Sequence, residues 1–313
     1  MFQYYKMDDR KIRESSGEDY NWLVVSGTDP EEQRHLLDKY QLPEDIFIGA
    51  NEPEEVSRLE YLRNTKLNHP ILYTLIDLSE VTQDRIEDRL EPVTFIYTKD
   101  LLITYVSHQS TLIKRLIEKH EQDIQRYEDI VAYSTLMIYT HYIKGLQEMK
   151  KQIDALDEAA RKTTENNELF NLADTERDMV YLDHTLRDQN HTVDRLMDRK
   201  EFLDRLDNEA LVYDIKLRQK FAMKMVTIYR DLLETIGGLF SDMMDNNLNH
   251  LMKYLDSAAL VVAVPSLIAG LWGINTGGLP GKDNAIGTII VFGLAILVGI
   301  LTAIYLSRKD FSK

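Results

Sequence analysis

A run of neutral polar and small residues near the C-terminus has the spacing and the chemistry of a pore lining. Asn246 and Asn249 lie three positions apart, which places their side-chain amides on one face of a helix. The same face continues through Met252 and Leu255 to Ser266. Amide and hydroxyl oxygens accept hydrogen bonds from the waters of a hydrated cation. The stripe therefore predicts either the wall of a narrow pore in an oligomer or, because small residues permit close approach, a contact between membrane helices.

Other residues with metal-binding or catalytic chemistry are sparse. The chain has no cysteine, which excludes a thiolate zinc site and a thiol nucleophile. His184 and His191 are seven positions apart and share a helix face, where a solvated surface is the commoner arrangement. We expect no enzymatic activity and no resident cofactor, because the chain contains no glycine-rich phosphate loop, Gly-x-Ser-x-Gly sequence or metal-hydrolase histidine pair.

Charge is distributed unevenly along the 313 residues. Residues 1–256 contain 33 Lys and Arg against 50 Asp and Glu, whereas Lys282 and Asp283 are the only charged residues between Ser257 and Leu306. The acidic body has no basic patch to neutralise phosphates, which argues against nucleic acid as a partner. An acidic body joined to a nearly uncharged segment is atypical of a soluble enzyme, and its field would concentrate cations.

Two uncharged segments, 257–274 and 286–306, have the length of membrane-spanning helices. A hydrocarbon core of ~30 Å requires ~20 apolar residues in a helix, with a minimum near ~17. The second segment exceeds this requirement and the first just meets it. Two buried core helices are the alternative, but they would need a large partner core. We therefore predict two transmembrane helices in contact with membrane lipid, joined by the short loop 275–285.

The sequences that flank the two spans predict their orientation. The first twenty residues have no apolar core of the kind found in a signal peptide, so the body is expected to stay in the cytoplasm. The tail 307–313 carries three basic residues against one acidic residue, which agrees with the positive-inside rule. A hairpin of two spans then places both termini on the cytoplasmic side of the plasma membrane.

Residues 1–107 mix strand and helix signals and predict a small α/β domain with a mostly antiparallel sheet. Pro30 occupies the first turn of a predicted helix that extends to Tyr40. Four apolar segments rich in β-branched and aromatic residues predict strands, and the last two predict a hairpin: 22–25, 71–78, 93–97 and 101–106.

Residues 108–256 contain no proline and few glycines, which predicts long helices with breaks near 163–167 and 199–208. The last helix, the stalk, has an apolar residue at every third or fourth position and continues into the first span without a stop signal. Such a face needs neighbours, either the preceding helices of the same chain or other copies. The predicted face comprises Leu217, Phe221, Met225, Ile228, Leu232, Ile236, Leu239 and Met243.

The first span ends in the tripeptide Gly273-Ile274-Asn275, preceded by the run from Pro265 to Trp272. This segment resembles the signature of the CorA-type, two-transmembrane GxN family of divalent metal ion transporters. The resemblance covers the whole chain. It implies an α+β cytoplasmic domain, long stalk helices, two C-terminal transmembrane helices and assembly as a homopentamer. It also implies that Gly273, Ile274 and Asn275 form the ion-selectivity loop at the pore mouth.

The residues around the tripeptide leave the transported ion open. The family's commonest form is Tyr-Gly-Met-Asn, whereas the run from Trp272 to Asn275, followed by Gly277-Gly-Leu-Pro-Gly281, is more similar to the ZntB zinc branch. Mg²⁺ is the first expectation, because it dehydrates reluctantly and would cross with its waters attached. Zn²⁺, Co²⁺ and Ni²⁺ are the alternatives.

The resemblance also implies regulation and leaves one other class of function open. The family's cytoplasmic domains sense the ion through carboxylates between subunits. Asp214 is a candidate for such a ligand here, and a solvated aspartate on the stalk surface is the alternative. A membrane-anchored coiled-coil scaffold without a pore is the alternative to transport.

Overall fold

The computed structural model describes residues 1–8, 11–17, 19–27, 29–47, 55–80, 85–162, 166–274 and 285–308. The chain forms two units. The first comprises Met1–Ala159 and Glu165–Gly237, and the second comprises Ala160–Thr164 and Gly238–Lys313. The sheet lies in the first unit, and both predicted membrane spans lie in the second.

Within the described residues, seven strands form one sheet: β1 (Phe2–Asp8), β2 (Lys11–Glu14), β3 (Trp22–Ser26), β4 (Arg58–Tyr61), β5 (Ile71–Leu78), β6 (Leu90–Tyr97) and β7 (Leu102–Val106). The strand order is β2-β1-β3-β7-β6-β5-β4, and every neighbouring pair except β3 and β7 is antiparallel. The predicted antiparallel character and the β6–β7 hairpin are confirmed. The sequence patterns do not predict β1, β2 and β4.

Helices account for most of the remaining described chain. Two short 3₁₀ turns lie at Glu44–Phe47 and Glu87–Arg89. The α-helices are α1 (Pro30–Tyr40), α2 (Leu112–His120), α3 (Tyr127–Ala160), α4 (Asn166–Met197), α5 (Lys200–Leu206), α6 (Glu209–Gly273) and α7 (Ala285–Arg308). The predicted helix that begins at Pro30 is confirmed as α1. Its N-terminus is capped by the Asp29 carboxylate, which accepts a hydrogen bond from the Glu31 backbone N–H at 2.9 Å.

One face of the sheet is covered by α1. Leu36 and Tyr40 of this helix pack against Leu23, Val25 and Ile103 in a buried apolar cluster. Alternate residues of a strand point to opposite faces, so the intervening side chains face the long helices on the other side.

The opposite face of the sheet is joined to α3 and α4 by buried hydrogen bonds. The Tyr142 hydroxyl of α3 donates to the Ile76 carbonyl at 3.0 Å, and the Gln189 side-chain oxygen of α4 accepts from the Ile76 N–H at 2.8 Å. The next residue of β5, Asp77, lies 2.9 Å from Nδ1 of His141 on α3, and both side chains are buried. Because a buried polar group without a partner is costly, these pairs hold the helices in one register on the sheet.

The breaks between the long helices follow the predictions in part. α3 ends at Ala160 and α4 begins at Asn166, which confirms the first predicted break. The second predicted break is also present, and it contains the short helix α5. A further break separates α2 from α3. The Asp129 carboxylate stabilises it by accepting hydrogen bonds from the backbone N–H groups of Gln125 and Arg126 at 2.8 and 2.9 Å. Burial raises the pKa of Asp129, and these two donors oppose that effect.

The stalk part of α6 has two apolar faces, and the predicted stripe is divided between them. Met225 and Ile236 of the predicted stripe are buried by the chain itself, whereas Leu217, Phe221 and Ile228 are exposed in the single chain. A second stripe is buried against the chain's own helices and comprises Leu211, Ile215, Ala222, Val226, Tyr229 and Leu233.

Polar contacts identify α4 as one neighbour of the buried stripe. Gln219 of α6 donates to the Asp194 carboxylate of α4 at 3.0 Å, and Arg230 lies 3.6 Å from the buried Asp183. Packing on the preceding helices therefore accounts for one face of the stalk, while the other face is exposed in the single chain.

Candidate ion pathway in the C-terminal helices

Both segments predicted to cross the membrane are helical. The first is the C-terminal part of α6, and the second is α7. Each is long and apolar enough to span a bilayer. Their most apolar stretches are almost wholly exposed in the single chain, an arrangement that suits lipid and further protein better than water.

The two helices come into contact at a proline and a glycine. Pro265 lies inside α6 and has no backbone N–H, so the carbonyl of Val261 lacks its usual helical donor. A Cβ atom placed on Gly299 of α7 would lie 2.8 Å from Cγ of Pro265 and 3.7 Å from the Val261 carbonyl oxygen. The glycine thus allows the α7 backbone to rest directly on the proline ring.

Small residues extend this contact along α7. Ala295 and Gly299 are buried, and Ala303 is partly buried. These residues are four positions apart, which is the small-xxx-small pattern that lets membrane helices approach closely. The spacing of Ala295, Gly299 and Ala303 is a signal for this contact in the sequence of the second span, and the prediction of two spans did not use it.

The α6 face that is covered in this unit is not the face predicted to line a pore. At about 100° per residue, Leu255, Met252 and Ser266 lie roughly 130–170° around the helix from the covered stripe, and Asn249 lies roughly 110° from it. All four predicted pore residues are exposed. The covered stripe comprises Ser257, Val261, Val264, Pro265, Ile268 and Trp272.

Ser266 presents an acceptor rather than a donor to its surroundings. Its hydroxyl donates to the Val262 carbonyl of the preceding turn at 2.8 Å. The hydroxyl proton is therefore engaged within α6, and the oxygen keeps lone-pair capacity for a further hydrogen bond. Such an oxygen can accept from the water shell of a cation.

The predicted selectivity loop begins where α6 ends. Gly273 is the last residue of α6, and the Ile274 N–H donates to the Leu271 carbonyl at 3.4 Å, which closes the final turn. Asn275 lies outside the described residues, as does the rest of the loop to position 284. Its role as a selectivity residue stays a prediction.

The remaining candidate ligands do not converge. Asp214 on α6 is exposed, as are His184 and His191 on α4. In the part of the chain that the structure describes, no three His, Asp or Glu side chains are grouped closely enough to hold a metal ion. A regulatory role for Asp214 also stays a prediction.

The chain is similar to known proteins over most of its length. A family model described as CorA-like Mg²⁺ transporter protein matches residues 17–308. The cobalt/magnesium transport protein CorA of Methanocaldococcus jannaschii is 25% identical, over 96% of this chain and 94% of its own length.

Solved structures show the same fold. The complete structure of the CorA magnesium transporter from M. jannaschii covers 99% of this chain and 98% of its own, with a TM-score of 0.77 and 19% identity. The ZntB cytoplasmic domain from Vibrio parahaemolyticus covers 79% of this chain and 98% of its own, with a TM-score of 0.54 and 11% identity. Because the family model spans nearly the entire chain, from the sheet to the end of α7, the protein belongs to the CorA-like Mg²⁺ transporter family.

Proposed function

We propose that the protein is a homo-oligomeric channel that passes divalent cations, with Mg²⁺ as its principal ion, across the cytoplasmic membrane. The observation that carries this proposal is the exposed α6 face that contains Ser266, Leu255 and Met252, opposite the contact with α7. Two helices cannot enclose a pore alone. Several copies can surround an axis with this face turned inward, and the family resemblance predicts five.

The chemistry of such a pore suits a hydrated ion. Full dehydration of Mg²⁺ is costly, and oxygen acceptors along the path can bind the ion's waters instead of replacing them. Asn275 would supply one amide oxygen per copy at the mouth, and Ser266 offers an acceptor oxygen further along the span. The CorA relative from M. jannaschii is named for cobalt and magnesium transport, which supports Mg²⁺ first and Co²⁺ as an alternative.

The stalk supplies a surface on which copies can associate. Tyr213 is 66% exposed, and four further large apolar side chains of α6 are exposed at helical spacing after it. We name this surface the outer stalk stripe: Tyr213, Leu217, Phe221, Ile228 and Leu232. Exposed apolar side chains aligned in this way favour protein contacts, and other copies of the same helix are the proposed occupants.

The same association would bring acidic side chains together. Asp214 is exposed one helical turn from Leu217, at the border of the outer stalk stripe. Carboxylates of adjacent copies would repel each other, and a bound divalent cation would offset that repulsion. We therefore propose Asp214 as a ligand for a regulatory cation between copies.

Two alternatives rest on specific observations. The ZntB likeness and the Gly-Ile-Asn tripeptide favour Zn²⁺, which would cross as a hydrated ion because the described residues contain no metal-ligating cluster. A scaffold without a pore would use the outer stalk stripe to bind other proteins and would leave Asn275 and Ser266 dispensable.

Assembly provides the first test. Purified in mild detergent, the protein is expected to have the mass of five 36.5 kDa chains by light scattering corrected for detergent. Phe221→Asp places a charge in the outer stalk stripe, so we expect it to shift the protein towards smaller species. Val180→Asp is the matched control, because Val180 is equally an exposed apolar residue but lies on α4. A stable wild-type monomer would remove the pore proposal altogether.

A further inference from the structure

A small cavity lies at one end of the sheet, far in sequence from the membrane spans. Tyr61 of β4 pairs with Ile71 of β5, and Ile71 pairs with Tyr97 of β6. Directly paired residues of antiparallel strands project from the same face, so these three side chains form a row. Arg199, α5 and the start of α3 complete the walls.

The size of the cavity restricts what it can hold. Its volume is about 220 Å³. Pockets for drug-sized ligands occupy roughly 300–1,000 Å³, and a water molecule takes up about 30 Å³. The cavity therefore has room for a small polyatomic molecule with a few waters, but not for a nucleotide.

Two residues that line this cavity each have a buried polar atom without a hydrogen-bond partner within the described chain. Tyr97 is 3% exposed, and its hydroxyl is unpaired. One terminal nitrogen of Arg199 is also buried and unpaired. Burial raises the pKa of Tyr97, so its hydroxyl keeps its proton and can donate. Buried donors are nearly always paired in native proteins, so water or a bound ligand is expected to supply the acceptors that these two lack.

The charges around the cavity favour an anionic acceptor. Glu128 and Glu201 both lie near Arg205, at 3.1 and 3.5 Å, so the charge of Arg205 is matched locally. With Arg199, Lys200 and Arg205 set against these two carboxylates, the lining has an excess of one positive charge in a chain whose net charge is −15. The guanidinium of Arg199 lies over the Tyr61 ring at 4.2 Å, a contact that orients its N–H groups.

We propose that this cavity binds a small oxyanion, whose oxygens accept hydrogen bonds from the Arg199 guanidinium and the Tyr97 hydroxyl. Inorganic phosphate and small carboxylates share the required chemistry and fit the available volume. Neither donor belongs to the proposed ion pathway, so the site is independent of the transport proposal.

Thermal unfolding of the full-length protein in detergent tests this site. Inorganic phosphate and acetate are titrated separately, each against chloride at the same ionic strength. We expect at least one of the two to raise the unfolding temperature saturably, and the responding anion identifies the source of the oxyanion. Arg199→Gln is expected to weaken the response about tenfold or more, and Tyr97→Phe several-fold, because a charged donor contributes more than a neutral one.

Two matched controls separate the site from general effects. Arg85→Gln removes an exposed guanidinium that is paired with Glu87, and Tyr105→Phe removes a hydroxyl that is bonded to Gln33, so both variants should respond like the wild type. Tyr97→Phe removes one unpaired oxygen and is expected to fold. If Arg199→Gln does not fold, the anion response of Tyr97→Phe alone tests the site. No response beyond chloride, or a response unchanged in both cavity variants, would show that the cavity holds water only and would overturn the proposal.

Discussion

Divalent-cation uptake is expected to fall to the background level when Asn275 is replaced by alanine. In the proposed oligomer, each copy contributes one Asn275 amide to the pore mouth, and each amide accepts a hydrogen bond from the water shell of the ion. Such a bond contributes about 0.5–1.5 kcal/mol, and five copies lose it together, so the rate should fall on the order of 100-fold or more. The measurement is Mg²⁺ uptake into proteoliposomes, followed with an entrapped Mg²⁺-sensitive dye.

Asn284→Ala is the matched control for this substitution. Asn284 belongs to the same loop and has the same side chain, but it is not part of the Gly-Ile-Asn tripeptide. We expect Asn284→Ala to transport like the wild type, and both variants to keep the wild-type mass in detergent. Wild-type uptake by a correctly inserted Asn275→Ala protein would show that the tripeptide has a structural role here.

Gly299→Ala is expected to lower the stability of the protein by about 1–3 kcal/mol, the usual cost of overpacking a close contact. The added methyl group would meet Cγ of Pro265 at 2.8 Å, a separation that requires α7 or the proline ring to move. Gly293→Ala is the control, because nothing lies within 4 Å of a Cβ atom at that position of the same helix.

The comparison of these two alanine variants isolates the helix contact, because any gain in helix propensity is common to both. The measurement is the unfolding temperature in detergent, with Mg²⁺ uptake as a second readout. If the two variants unfold at the same temperature, the Pro265–Gly299 contact does not hold α7 against α6.

The fold was predictable where side-chain burial produces a simple pattern. The central strands β3, β5, β6 and β7 are almost wholly buried and apolar, so the sequence displays them clearly. The edge strands β2 and β4 carry charged residues such as Lys11 and Arg58, as exposed edges commonly do, and this composition conceals them.

In the stalk, the sequence pattern predicts a helix but does not predict which of its apolar residues are buried. Apolar residues at every third or fourth position merge two helix faces into one apparent stripe. Leu217 and Leu233 are both apolar, but Leu217 is exposed and Leu233 is buried. The distinction depends on where α3 and α4 lie, and periodicity within one helix does not contain that information.

The sequence predicts which segments form the candidate site, but it does not predict which of their residues contact each other. The length of the two spans and the Gly273-Ile274-Asn275 tripeptide are visible in the sequence. The contact between Pro265 and Gly299 depends on how two helices meet, although the small residues of α7 were a usable signal. The oxyanion cavity depends on strand register, because Tyr97 and Arg199 are about a hundred positions apart and share no local pattern.

Ion flux into proteoliposomes tests the central claim most directly. Mg²⁺ and Zn²⁺ are supplied separately, with and without a proton gradient, to vesicles that contain the wild-type protein or the Asn275→Ala variant. A channel for hydrated ions predicts that Mg²⁺ enters wild-type vesicles down its own gradient without a proton gradient, and does not enter vesicles with the variant. If Zn²⁺ enters the vesicles and Mg²⁺ does not, the transported ion is Zn²⁺, the alternative proposed above. If correctly inserted wild-type oligomers admit neither ion, the protein is not a divalent-cation channel.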